Sequence, residues 1–321
     1  MKMFFNKTIF KILQFVITIS LLTYIMSKFE INTKNIFIRI DRFGFILLAV
    51  PFVLAIKPAV ANKRWKILLQ YSGIKENIFQ LIKINWMSVF LAFFLPFASA
   101  SDVFKMYFIE KKYPEKRGFS GASVIADRMI GFVLFCILGI IGSLFLPNTE
   151  EMTDIRIIIF SVFILIVLLI LIITNKKIYS VTFSFLNKIS FLRFIFMYII
   201  NLHKNLTILP YKKILPKVLP LVLIFQLSNI LIAYFIFLSV GVTIPFFYHL
   251  AFLPVIQIIT LLPVSFAGLG FREGLFIYFY GFLDLSAEVA FSVSIIYFLI
   301  TVGIPAIIGG TLILFEKLKL M

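Results

Sequence analysis

Stretches long and apolar enough to cross a bilayer recur along the whole chain, separated by short polar segments that are mostly basic. A helix that spans the hydrocarbon core needs about 20 such residues. The pattern predicts full spans at 8–27, 43–61, 120–146, 155–174, 218–239 and 287–314. Two more segments, 84–110 and 249–284, are as apolar but are interrupted near their middles by Leu95-Pro96 and Leu262-Pro263. Proline removes a backbone donor and clashes with the preceding turn. Both segments start and end on one side by the charge count, which predicts re-entrant hairpins. Irregular backbone at membrane depth has to be buried in protein or line a wet cavity, so the hairpins are expected inside the bundle. Between 176 and 210, aromatic residues alternate with bases. That stretch reads as a helix lying on the membrane surface, or as an ordinary connecting loop.

The fold class is therefore all-α: a polytopic integral membrane protein of about six full spans plus two re-entrant broken-helix hairpins, in one domain over 1–321. The two broken segments also match each other. Leu95-Pro96 and Leu262-Pro263 lie 167 residues apart, as do Ile140-Ile141-Gly142 and Ile307-Ile308-Gly309. The halves are approximately 84–146 and 249–314. The charge pattern sends the first hairpin in from the cytoplasm and the second from outside, so the repeat is expected to be inverted. Inverted repeats with paired broken helices build transporters whose site lies near the bilayer midplane.

Composition agrees. Of 321 residues, 62% are hydrophobic and 14% charged, which no soluble domain could hide. The N-terminal lysines followed by an apolar run resemble a signal peptide. The run is long and no small-residue cleavage site follows, so a retained first span is expected. The net charge of +17 is spread over loops. That distribution argues against nucleic acid and for loops facing the anionic lipids of a cytoplasmic (inner) membrane; compositional drift toward lysine is the bland alternative. The positive-inside rule places both termini, 62–83, 110–118 and 175–217 in the cytoplasm, and 147–154 and 239–248 outside. The 28–42 loop fits badly: it carries Lys28, Lys34, Arg39 and Arg42 yet has to lie outside.

Charges inside the membrane region are few: Asp102 and Lys105 after the first break, Asp127 and Arg128 early in the third span, Arg272 and Glu273 after the second break. Such residues are costly in lipid and normally face the bundle interior. Arg272 leads the candidates, because a guanidinium fork matches phosphate bidentately. Its bland alternative is a salt bridge that only locks the hairpins. Neighbours on a helix point apart, so Arg272 and Glu273 are not expected to pair with each other; Asp102 or a ligand is the expected partner. Asp127 and Arg128 read as a gate or as a solvated helix start. Lys105 reads as a ligand contact or as a residue reaching for the interface. Cys136 reads as a small buried hydrophobe. His203 and His249 stand at no metal-ligand spacing, no cofactor is implied, and no catalytic motif is present.

At "LLPVSFAGLGFREG" (261–274) and "ADRMIG" (126–131) the chain resembles the flippase-like domain family, also called the lysylphosphatidylglycerol synthase transmembrane region. That family typically shows a Pro followed by G-x-G-x-R-E. Pro263, Gly268, Gly270, Arg272 and Glu273 match it. In its first half it shows Leu-Pro, Gly-Asp with a basic residue three on, then an acid–Arg pair and a Gly. Leu95-Pro96, Asp102, Lys105, Asp127-Arg128 and Gly131 correspond. Ser101 stands where Gly is usual and Lys105 where Arg is usual. The resemblance covers about 8–315. It implies movement of lipid between leaflets and a stand-alone member without the soluble aminoacyl-transfer domain.

The expected function is thus that of a lipid flippase or transporter rather than an enzyme. Its substrate would be a phospholipid or a polyprenyl-phosphate-linked lipid, and anionic membrane lipids would be its surroundings. The alternatives are an intramembrane enzyme acting on a lipid-linked sugar, with Asp102 or Glu273 as base, and a non-transporting partner of an envelope complex that docks through 176–217. Homo-oligomerisation is left open.

Overall fold

The computed structural model describes residues 2–31, 40–93, 100–175, 193–262 and 265–320, and its regular structure is helical. In chain order, α1 is Lys2–Lys28 and α2 is Phe43–Tyr71, with a widened π turn at Phe52–Ile56. Then come α3 (Ile78–Ala92), α4 (Ala100–Lys112), α5 (Phe119–Ser143), α6 (Glu150–Thr174), α7 (Arg193–Ile208), α8 (Tyr211–Ser239), α9 (Phe246–Thr260) and α10 (Phe271–Gly281). The last helix, α11, joins Ala287–Phe298, a second π turn at Leu299–Gly303 and Ile304–Leu320. Among the described residues five helices are long and apolar enough to cross a membrane: α2, α5, α6, α8 and α11. The expected span at 8–27 lies in α1.

The expected second span, 43–61, is too short. Helix α2 runs ten residues further, through the basic run 62–66, because good helix formers such as Arg64, Lys66 and Leu68 do not stop a helix. Its stop is Gly73, at φ +76°. There Ile74 N–H donates to Leu69 O at 2.9 Å and Gly73 N–H to Gln70 O at 3.0 Å, the paired bonds of a left-handed glycine cap. Helix α8 ends likewise at Gly241, φ +78°.

Both interrupted segments contain two helices with a break between them. The first break holds Leu95-Pro96 and the second Pro263, and those prolines lie outside the described residues, as does 176–192. The helical pair α3/α4 is answered by α9/α10, and α5 by α11. The packing between them is exchanged: α3 lies along α11, and α9 along α5. Each contact closes on a glycine. A side-chain carbon on Gly142 of α5 would meet Ala251 N at 2.6 Å, and one on Gly309 of α11 would collide with the Trp86 carbonyl.

The main core fills the space between α5, α8, α9, α10 and α11 with Phe237, Phe252, Phe276, Phe279 and Tyr280, each at most 1% exposed. The periphery is the opposite. In α6 only 6% of the apolar window is buried, and Ile164, Leu165 and Leu171 are more than half exposed. Such a helix belongs against lipid. Its start is capped by the Thr149 side chain, which accepts from Met152 N–H at 3.3 Å, with Glu150 and Glu151 in the first turn where the helix dipole favours acids.

The basic loops gather at one end of the bundle. Lys112 pairs with Glu76 at 2.6 Å, and that hydrogen bond pushes its ammonium above the usual lysine pKa range. The Tyr113 hydroxyl donates to Lys75 O at 3.1 Å, and Lys217 reaches the Tyr71 hydroxyl at 3.2 Å. At the other end Arg42 N–H donates to Ser239 O at 3.1 Å, Phe145 meets Phe247, and Arg156 donates to Ser143 O at the end of α5 and to Leu146 O in the loop beyond it. Residues 40–42, which close the loop that fits the charge rule badly, sit at this second end.

Candidate functional site

A cavity of about 380 Å³ opens between α2, α3, α4, α5, α8, α9 and α11 and reaches the break before α10. That is within the range of small-molecule sites, roughly 300–1,000 Å³. Five of the six charged residues singled out from the sequence line it: Asp102, Lys105, Asp127, Arg128 and Arg272. Glu273 lies directly behind Arg272 and is fully buried. Both π turns border the cavity too, through Val53 and Lys57 on α2 and Thr301 and Val302 on α11. Widened turns of this kind cluster at functional sites.

Three arginine–carboxylate forks surround the space. Arg128 Nε and Nη2 donate to Asp102 at 2.7 and 3.1 Å. Arg64 Nη2 donates to Asp127 Oδ2 at 2.7 Å, and its Nε lies against Oδ1 without hydrogen-bond alignment. Arg272 Nη2 and Nε donate to Glu273 Oε1 at 2.8 and 3.2 Å. In each fork the carboxylate takes the Nε/Nη2 edge. The Nη1 group makes no hydrogen bond to the described residues, and in Arg64 it is buried.

The expectation that Arg272 and Glu273 would not pair is overturned. The opposed-neighbour rule holds along a helix, but these residues form its first turn. Glu273 curls back to accept from Gly270 N–H at 2.5 Å, capping α10, and in that pose its other oxygen meets the Arg272 fork. Ser294 on α11 ties the pair down, donating to Glu273 Oε1 at 3.0 Å. The Arg272 guanidinium stacks 4.5 Å from the Phe298 ring centroid, a favourable cation–π placement. Asp102 therefore pairs with Arg128 and, at 3.4 Å, with Lys105, and not with Arg272.

Glycine is required at the turn that delivers Arg272. Ala267, Gly268 and Gly270 have φ of +52°, +76° and +80°. A side-chain carbon on Gly268 would meet Thr260 Cγ2 at 2.5 Å, and one on Gly270 would meet Leu21 of α1 at 2.9 Å. Three positive-φ residues within four positions bend the chain sharply, so the N-terminus of α10 and its arginine reach the cavity edge.

A family model described as "Lysylphosphatidylglycerol synthase TM region" matches residues 11–309. The chain belongs to that family. The match takes in every cavity residue named above, and with the long apolar helices it makes this family member a multi-pass membrane protein. No curated protein and no solved structure matches the chain.

Two cavity residues of this family member escaped the sequence reading, Lys57 and Arg64. Arg64 was hidden by the assumption that α2 ended at 61, which made the basic run 62–66 a loop; Lys57 lies inside the expected span 43–61, the one charge in that apolar run, and was passed over. Their signal was their spacing. Residues seven apart share a helix face, and Arg64 sits beside Trp65, whose indole N–H donates to Ser123 Oγ at 3.1 Å. Among the described residues no group of three or more His, Cys, Asp or Glu is placed to hold a metal. His249 is a core residue, 2.8 Å from the Tyr280 hydroxyl and away from the cavity.

Proposed function

We propose that the protein is a lipid transporter of the cytoplasmic membrane, one that moves a phospholipid or a polyprenyl-phosphate-linked lipid between leaflets and performs no covalent chemistry. The observation that carries this reading is the cavity itself. Charged side chains from α2, α4, α5 and the start of α10 converge on one space inside a bundle whose outer helices are dressed for lipid. A lone charge at the bilayer centre costs about 2.5–3.5 kcal/mol on insertion scales. A cluster of them is retained where a polar group has to be accommodated.

In this reading the headgroup enters the cavity while its chains stay in the bilayer. The free Nη1 groups of Arg272, Arg128 and Arg64 donate to phosphate oxygens, and the carboxylates behind them fix the planes of the forks. All three carboxylates are engaged by guanidinium groups rather than turned toward a substrate, which speaks against the enzyme alternative. The α3/α4 and α9/α10 pairs are re-entrant hairpins of an inverted repeat, and both termini are cytoplasmic, on the side of the basic loops.

The test is a leaflet-exchange assay in proteoliposomes containing fluorescent phosphatidylglycerol or a fluorescent polyprenyl phosphate. Wild-type protein is expected to speed exchange of at least one, and Arg272→Ala to abolish that gain while remaining folded. Wild-type exchange by a folded Arg272→Ala protein would remove Arg272 from the transport path.

A further inference from the structure

The cavity is not electrically balanced. Among the described residues five cationic side chains line it: Lys57, Arg64, Lys105, Arg128 and Arg272. They face three carboxylates, Asp102 and Asp127 in the lining and Glu273 behind Arg272. Two positive charges are left over. One arises at Asp102, which is shared by Arg128 and Lys105. The other is Lys57.

Lys57 is the middle residue of the 29-residue helix α2 and the one charge in its apolar stretch 43–61. It makes no ion pair among the described residues; its ammonium lies 5.3 Å from the centroid of Phe225. The Arg64 guanidinium, two turns along the same face, lies 5.0 Å from that same ring. The two cations are thus gathered about one aromatic side chain. Arg64, 7% exposed, adds a buried Nη1 with no hydrogen-bond partner. An unpaired ammonium and an unfilled donor, both lining one cavity in low dielectric, ask for an anion.

From this excess we infer that the lipid headgroup carries two negative charges, on a terminal phosphomonoester or a diphosphate, with Lys57 and Arg64 forming its second anion-binding subsite beside Arg272. This deepens, and rests on, the transport reading. A phosphodiester such as phosphatidylglycerol brings one negative charge and leaves a cation unmatched. An aminoacylated headgroup brings positive charge and is disfavoured by the same excess.

The test is binding to purified full-length protein in detergent, which does not require transport to occur. The probes are farnesyl diphosphate, farnesyl phosphate, dioleoyl phosphatidylglycerol and inorganic diphosphate. The two farnesyl compounds are expected to bind at least about tenfold more tightly than phosphatidylglycerol. Lys57→Gln should erase most of that preference, and Lys57→Arg should retain it. Near-equal affinities for the farnesyl compounds and phosphatidylglycerol would overturn the inference, as would an unchanged preference in a folded Lys57→Gln protein or no binding of any probe. Inorganic diphosphate binding as tightly as farnesyl diphosphate would keep the dianion site and overturn its assignment to a lipid. Dianion preference without leaflet exchange would support the subsite and sink the transport reading. Exchange of phosphatidylglycerol without dianion preference would do the reverse.

Discussion

Gly142 and Gly309 stand 167 residues apart and do the same job: each lets its helix cross another at backbone contact, Gly142 of α5 against Ala251 of α9 and Gly309 of α11 against Trp86 of α3. At both crossings the neighbouring atoms are main chain, which cannot rotate away.

Gly142→Ala and Gly309→Ala are therefore expected to destabilise the protein by about 1–3 kcal/mol or more, the usual cost of overpacking. Thermal unfolding in detergent reads this. Gly44→Ala is the control, since nothing lies within 4 Å of the added carbon. Midpoints equal to wild type for both crossing variants would refute the contact.

The Arg64–Asp127 fork invites a double-mutant cycle. Asp127→Asn leaves the Arg64 charge uncompensated in the interior, and about 3–5 kcal/mol of stability should be lost. Arg64→Gln together with Asp127→Asn removes both charges and should recover part of it, with a coupling of about 0.5–3 kcal/mol. Additive losses would mean that the two side chains do not interact.

Glu273 does two things at once, capping α10 and facing Arg272. Glu273→Ala should cost about 3–5 kcal/mol. Glu273→Gln keeps an acceptor oxygen for Gly270 N–H and should cost about 1 kcal/mol less than the alanine variant. Identical unfolding midpoints for the two variants would show that the cap contributes nothing.

At Gly270 an alanine would need a left-handed backbone, at about 1–2 kcal/mol, and would press on Leu21. Gly270→Ala should lower the unfolding midpoint and loosen α1, read as faster proteolysis of the N-terminal segment. Unchanged proteolysis would separate α1 from the turn.

The helical layout was legible in the sequence because hydrophobic length and Leu-Pro interruptions act locally. So were five of the seven charged residues in the cavity lining, because an ionisable residue in an apolar run stands out by its cost. Asp102, Lys105, Asp127, Arg128 and Arg272 lie on one cavity although 170 residues separate the first from the last. Who pairs with whom was not legible. That Asp127 faces Arg64 depends on α2 packing beside α5, a tertiary fact. Glu273 facing Arg272 depends on a first-turn cap that overrides ordinary helix geometry. Arg64 was missed because basic residues after an apolar run look like the end of a span, whereas Lys57 lay inside the expected span 43–61 and was passed over. Here the helix simply continues, and its true stop is the left-handed glycine at 73.

The exchanged packing also sets an order of events during synthesis. Helix α3 is complete at Ala92, but the face it needs is supplied by the Ile304–Leu320 part of α11, more than 200 residues later. At about 5–20 residues per second, the ribosome takes on the order of ten to forty seconds to deliver it. Meanwhile α3 and α4 wait in the membrane with their charges half-enclosed, so the nascent chain stays open to quality-control proteases and chaperones until its last helix arrives. Mutations in α11 would then act first on how much protein survives biogenesis, before they act on anything the finished molecule does.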